Sequence, residues 1–205
     1  MKLLTKVFIL SAFLVSTTIA NENIVDSIGI NIGSSNSSYS LTNNIDVSTP
    51  DESLTSIKLY TKFNPFTDLC KKYNMKPSVS YTASQNDELK HQYLLLGINK
   101  YYKLEDNYQL YTGLDLGYGE LEWKDSPIKG SDNNNYTATN PMIGINGGLN
   151  YFIDNSFYID INVEYLYHGY ETKLKPTYNT SGSFKHDDTF NVSLGFAWKI
   201  IWVIY

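Results

Sequence analysis

Three histidines, His91, His168 and His186, are the only imidazoles this chain of 205 residues can bring to acid–base or metal chemistry. Glu164 stands four residues before His168. On an extended strand that spacing puts both side chains on one face, the beginning of a general-base arrangement that still needs a nucleophile. The three histidines are scattered along the chain and lack C-x-x-C or H-E-x-x-H spacing, so no metal centre is expected. The reading is no catalytic residue, no metal and no cofactor, with His168 a weak candidate at the rim of its strand. Cys70 is the single cysteine; with no partner it is expected to be a small structural residue. All sixteen basic residues are lysine, which excludes a guanidinium clamp on phosphate and gives no footprint for nucleic acid.

The elements that must carry these side chains are strands. Phe157, Ile159, Ile161, Val163, Tyr165 and Tyr167 interleave with Tyr158, Asp160, Asn162, Glu164, Leu166 and His168, the period of two that marks a strand with unlike faces. The same alternation covers residues 28–33, 55–63, 77–84, 91–102, 110–119, 143–153 and 190–198, making eight strands. Residues 105–107 and 154–156 read as tight turns, whereas 124–138 and 171–187 are long, polar and rich in Asn, Ser, Thr and Gly. Residues 42–51 and 86–89 fall on the long-loop side, and 64–76 form a longer connection on the tight-turn side.

The first twenty residues have Lys2 and Lys6, an apolar run from Val7 to Val15, and small residues up to Ala20. That order predicts a cleaved signal peptide over 1–20, leaving residues 21–205 as one domain. Removing its two lysines takes the net charge from -5 to -7.

A soluble sandwich also alternates, but aromatics have little reason to collect at both ends of its apolar stripes. Here Tyr108 and Tyr118 lie ten residues apart on one stripe, and Phe157 and Tyr167 ten apart on another. At about 3.3 Å per residue and a tilt of about 40°, ten steps climb about 25 Å, the height of the apolar band on an outer-membrane barrel. The expected fold is an all-β, eight-stranded antiparallel up-and-down transmembrane β-barrel.

These features resemble the small eight-stranded outer-membrane barrels of Gram-negative bacteria, the family of opacity-type surface proteins and the barrel of outer membrane protein A. Phe190-Asn-Val-Ser-Leu-Gly-Phe-Ala-Trp198 is similar to the family's closing strand, although the chain continues Lys199-Ile-Ile-Trp-Val-Ile-Tyr205, and Tyr205 has the parity opposite to Trp198. Either an overhang or a bulge is implied there. The resemblance implies export to the outer membrane, contact with its lipids and lipopolysaccharide, insertion by the barrel assembly machinery, and a monomer. Deacylase members of such barrels are expected to carry a serine two residues after the histidine; here that position is Tyr170.

If the apolar stripes face lipid, the opposite faces point inward, and Lys58, Lys62, Asp115, Asp160, Glu164, His168 and Lys199 line the lumen. Eight strands enclose only enough space for side chains, so an interior salt-bridge network of Lys58, Lys62, Asp115, Asp160, Glu164 and Lys199 is expected, with Lys58 and Glu164 at one depth and Lys62 near Asp160. The leading functional expectation is a structural or adhesin-like surface protein that meets an extracellular ligand through loops 124–138 and 171–187. A narrow passive channel for small or apolar solutes is the alternative, and a lipid A-modifying enzyme the third.

Overall fold

The computed structural model describes residues 24–42, 53–124, 137–174 and 182–200. The expected leader, the tips of the long loops and residues 201–205 lie outside these. Eight strands follow one another as β1 (Val25–Thr42), β2 (Ser53–Phe63), β3 (Met75–Gln85), β4 (Leu89–Glu105), β5 (Tyr108–Trp123), β6 (Thr137–Phe152), β7 (Phe157–Leu174) and β8 (Gly182–Lys199). Each pairs antiparallel with its neighbours and β8 returns to β1, closing the barrel expected from the sequence.

Several strands run past the limits set by hydrophobic alternation. β7 continues to Leu174 and β8 begins at Gly182, pairing through Leu174↔Gly182, so most of the segment 171–187 is ladder rather than loop. Most of the extra residues of β7 and β8 are polar, and backbone pairing asks only for N–H and C=O groups.

The distribution of exposure identifies the solvent. Ile32, Leu96 and Leu114 on the apolar stripes are each 61% exposed, while Asn31, Glu164 and Asn191 on the opposite faces are fully buried. A water-soluble sandwich has the reverse arrangement; an outward apolar band around a polar interior is that of a membrane barrel. Aromatics bound the band at both levels. Tyr108 packs on Tyr151 with ring centroids 5.0 Å apart, and Phe157 meets Trp198 edge-on at 4.6 Å, at the short-turn end. Tyr118 and Tyr167 stand exposed at the long-loop end.

At the short-turn end, Asp154 Oδ1 accepts from the N–H groups of Ser156 and Phe157 at 2.7 and 2.8 Å, fixing the β6–β7 turn. The longer β2–β3 connection holds a one-turn helix, α1 (Asp68–Lys72), whose N-cap Thr67 accepts from Cys70 N–H. Cys70 is buried there as a free thiol. In closing the barrel, β8 stays in step with β1 from Thr189↔Ser37 to Lys199↔Ser27, with no bulge near Trp198. The continuation beyond residue 200 lies outside the described residues.

Candidate functional site in the barrel lumen

Successive inward residues of β7, from Tyr158 through Asp160, Asn162, Glu164, Leu166 and His168 to Tyr170, rank the lumen into layers from the short-turn end to the loop end. All seven are buried. At the bottom, Tyr60, Tyr158 and Ala197 pack together, and Tyr158 Oη lies 2.8 Å from Ser27 Oγ. Above them the Lys62 ammonium sits 3.6 Å from Asp160 Oδ1. The rings of Tyr111, Tyr60, Tyr158 and Tyr101 surround it at 4.7, 4.9, 5.2 and 5.6 Å. A desolvated ammonium gains from aromatic faces what it cannot obtain from water. Asp160 also accepts from Asn31 Nδ2 at 2.7 Å and from Tyr111 Oη at 3.0 Å.

One layer higher, Lys58 Nζ pairs with Glu164 Oε1 at 2.5 Å, and Tyr93 Oη donates to Glu164 Oε2 at 3.1 Å. Asn162 ties the two layers, accepting from Lys58 at 3.3 Å and donating to Tyr111 Oη at 2.9 Å. Asp115 has no lysine in ion-pair reach among the described residues; Asn146 Nδ2 donates to it at 2.5 Å. Gly97 makes room for this carboxylate, since a Cβ there would collide with Asp115 Oδ1.

Two members of the expected salt-bridge network require correction: Asp115, which is inward and buried but held by Asn146 rather than by a lysine, and Lys199. Lys199 is not part of the interior network. It has inward parity, but it lies one step below the Ala197 layer, so its side chain leaves the lumen and is exposed beside Asp106 and Asp154. His168 and Glu164, weighed from the sequence only as a weak pairing, form no dyad, because Lys58 and Tyr93 take both oxygens of Glu164. An ion pair missing from the expected set joins Lys76 to Asp26 at 2.7 Å. Asp26 falls at a register shift between Val25 and Ser27, which breaks the alternation that would have marked it.

The histidines depart furthest from their expected scatter. His91 of β4, His168 of β7 and His186 of β8 meet near the loop end, with ring centroids 5.5 Å apart for His91–His168, 5.6 Å for His91–His186 and 4.6 Å for His168–His186. The last two are stacked within 16°. Simple alternation gives His186 the parity of the lipid-facing Phe190. A bulge decides otherwise: β1 pairs Ser38 with Asp188 and Tyr39 with His186, leaving Asp187 as the extra residue. Opposite it, β7 bends through Gly169 at φ 56, and the result turns His186 inward.

His168 Nδ1 lies 3.0 Å from the His186 carbonyl oxygen, which only accepts, so Nδ1 carries the proton and Nε2 accepts from Thr189 Oγ1 at 2.9 Å. Thr189 is fully buried, so no substrate carbonyl reaches that hydroxyl. His91 Nε2 lies 3.1 Å from Tyr170 Oη. Tyr170 crosses the lumen toward Gly119, where a Cβ would collide with its hydroxyl. Below the histidines, Tyr93, Leu95, Met142 and Leu166 pack together; around and above them Leu54, Leu89, Leu121, Trp123, Ala138 and Tyr170 form an apolar cluster.

A cavity of about 30 Å³ lies among Lys58, Lys62, Asp115, Asn146 and Asp160, room for about two water molecules. It adjoins the unpaired Oδ1 atoms of Asn99 and Asn146, acceptors that such waters would satisfy.

No family model and no curated protein matches the chain. Solved structures match in fold. Neisserial surface protein A superposes with a TM-score of 0.58 at 13% identity over 84% of this chain and 97% of that one. The N-terminal β-barrel domain of Pseudomonas aeruginosa OprF gives 0.50 at 12% identity over 85% and 98%. The outer membrane enzyme PagL gives 0.43 at 11% identity over 85% and 99%, too distant in shape to bear on catalysis. With its polar stripe buried, its apolar stripe exposed between two aromatic levels, and its likeness in fold to Neisserial surface protein A and the OprF barrel, the chain is an eight-stranded β-barrel of the outer-membrane type.

Proposed function

We propose that this barrel resides in the outer membrane as a closed, non-enzymatic monomer and acts at the cell surface through its loop end. The observation that carries the reading is the filled lumen: among the described residues Lys58–Glu164, the tyrosine-enclosed Lys62 and the apolar cluster around Leu121 succeed one another with no solute-sized gap between them. A channel would need at least one of these layers to move aside. Planar-bilayer recording of the refolded protein tests this. Silence is expected, and stable ohmic openings would overturn the closed-lumen reading.

The strands extend well beyond the Tyr118 and Tyr167 level, and the sequence segments 124–138 and 171–187 join them at that end. Asn, Ser, Gly and Tyr in these segments suit adaptable polar contacts, and a ligand at the cell surface is their natural partner. Deleting residues 126–137 is expected to leave the barrel folded and to reduce adherence of cells that display it; unchanged adherence would leave the loops passive. Lipid A modification is set aside because the His168 nitrogens face buried Thr189, the His186 carbonyl and the His186 ring, none of them a nucleophile open to substrate, with Glu164 engaged elsewhere. Mass spectrometry of lipid A with and without the gene would reveal a changed acyl count if that were wrong. Membrane lipids and lipopolysaccharide fit the apolar band as its surroundings, and insertion by the barrel assembly machinery fits the alternating closing strand.

A further inference from the structure

The histidine triangle has a size that a metal ion requires. With metal–nitrogen bonds of about 2.0–2.1 Å and tetrahedral angles, ligating nitrogens stand about 3.4 Å apart and ring centroids about 5.2 Å apart. His168 Nδ1 and His186 Nδ1 are 3.5 Å apart. The three centroid distances, 4.6, 5.5 and 5.6 Å, bracket the second value. His91 Nδ1 is buried with no hydrogen-bond partner among the described residues, a state that costs free energy unless something fills it.

The outer nitrogens have holders. Tyr170 Oη lies against Nε2 of His91 and Thr189 Oγ1 against Nε2 of His168, the supporting contacts that orient ligating imidazoles. As the rings stand, no three described His, Cys, Asp or Glu side chains converge on one point: the planes of His168 and His186 are stacked within 16°, and Nδ1 of His168 holds its proton toward the His186 carbonyl. Histidine χ2 is a broad torsion, so the rings can turn without leaving their strands. In doing so His168 gives up the His186 carbonyl and moves its proton from Nδ1 to Nε2. The Thr189 hydroxyl, able to accept as well as donate, then receives that proton in a hydrogen bond.

We propose that His91, His168 and His186 bind one borderline divalent transition-metal ion, zinc in the first instance, through their Nδ1 atoms, clasping β4, β7 and β8 at the loop end of the lumen. Imidazole suits zinc, copper and nickel.

The test uses full-length barrel refolded without a histidine tag, stripped with EDTA, and given zinc chloride either during or after refolding. One zinc per barrel and a raised unfolding temperature are expected. Binding should weaken at least about tenfold in each of His91→Gln, His168→Gln and His186→Gln, and about tenfold in Thr189→Val through loss of ring orientation. No zinc bound under either protocol, or equal zinc bound by the triple glutamine variant, would overturn the site. Should a glutamine variant fail to fold, copper(II) electron paramagnetic resonance on the wild-type barrel decides instead: three coordinated nitrogens support the clasp, and one or none removes it.

Discussion

The two halves of the lumen are closed by different interactions, although the same inward parity builds both. In the short-turn half, each charge has a specific partner: Lys58 with Glu164, Lys62 with Asp160 and four tyrosine rings, Lys76 with Asp26, and Asp115 with the Asn146 amide. In the loop half, Leu54, Leu89, Leu121, Trp123 and Tyr170 pack as in a small soluble core, with Tyr93, Leu95, Met142 and Leu166 as a second apolar cluster and the imidazoles between the two. The contrast teaches how a barrel too narrow to hold bulk water can tolerate a polar interior. Each buried charge must find a specific partner, so the lower half is specified pair by pair. The upper half needs only matching volumes and tolerates substitution as a core does.

The comparison breaks most visibly at Glu164. Glu164→Ala strands the Lys58 ammonium in the lumen and should cost about 3–5 kcal/mol, measured as urea unfolding of the barrel in lipid vesicles. Replacing both partners, Lys58→Met with Glu164→Leu, should recover most of that loss, because the penalty lies in the orphaned charge. A double variant as unstable as the single one would show that the lower half is held by packing after all.

In the upper half, Leu121→Ala should cost about 2–5 kcal/mol, toward the low end if the neighbouring residues relax into the space. The same unfolding series should find this loss indifferent to salt. Next in size is Gly119→Ala. Its new methyl group displaces the Tyr170 hydroxyl and should cost about 1–3 kcal/mol by overpacking. NMR spectra of that variant should no longer show the hydrogen bond between Tyr170 and His91.

The smallest effect lies outside both halves. Lys103→Ala, at the exposed end of β4 beside the β4–β5 turn, should leave unfolding unchanged. In the wild type the hydrogen bond and charge of Lys103 hold the Asp106 carboxyl below its ordinary range. Without that lysine its NMR titration should move up toward the ordinary carboxylate value, so Asp106 would stay protonated to a higher pH than in the wild type.

Much of this contrast was legible before the fold was known. Lys58, Lys62, Asp160 and Glu164 follow from parity, and their depth from counting along β2 and β7. Asp26, Lys199 and His186 were misread or missed for one kind of reason: alternation assigns a face, but it does not say where a bulge reverses the face or where the barrel ends. Asp187 reverses it for His186, the Val25–Ser27 shift for Asp26, and the end of the lumen releases Lys199. Strand ends were equally hard to place, since residues beyond the aromatic levels pair through their backbones whatever their side chains.

By itself the sequence determined the period-two stripes, the two aromatic levels and the alternation of short and long connections, because each is a local property of consecutive residues. Those properties dictate eight strands with one face for lipid. Tertiary structure decided which inward side chains meet. His91, His168 and His186 are separated by up to 95 positions, and their convergence depends on how β4, β7 and β8 face one another across a closed lumen and on a single extra residue in β8. Closure of the sheet turns three unrelated positions into one cluster.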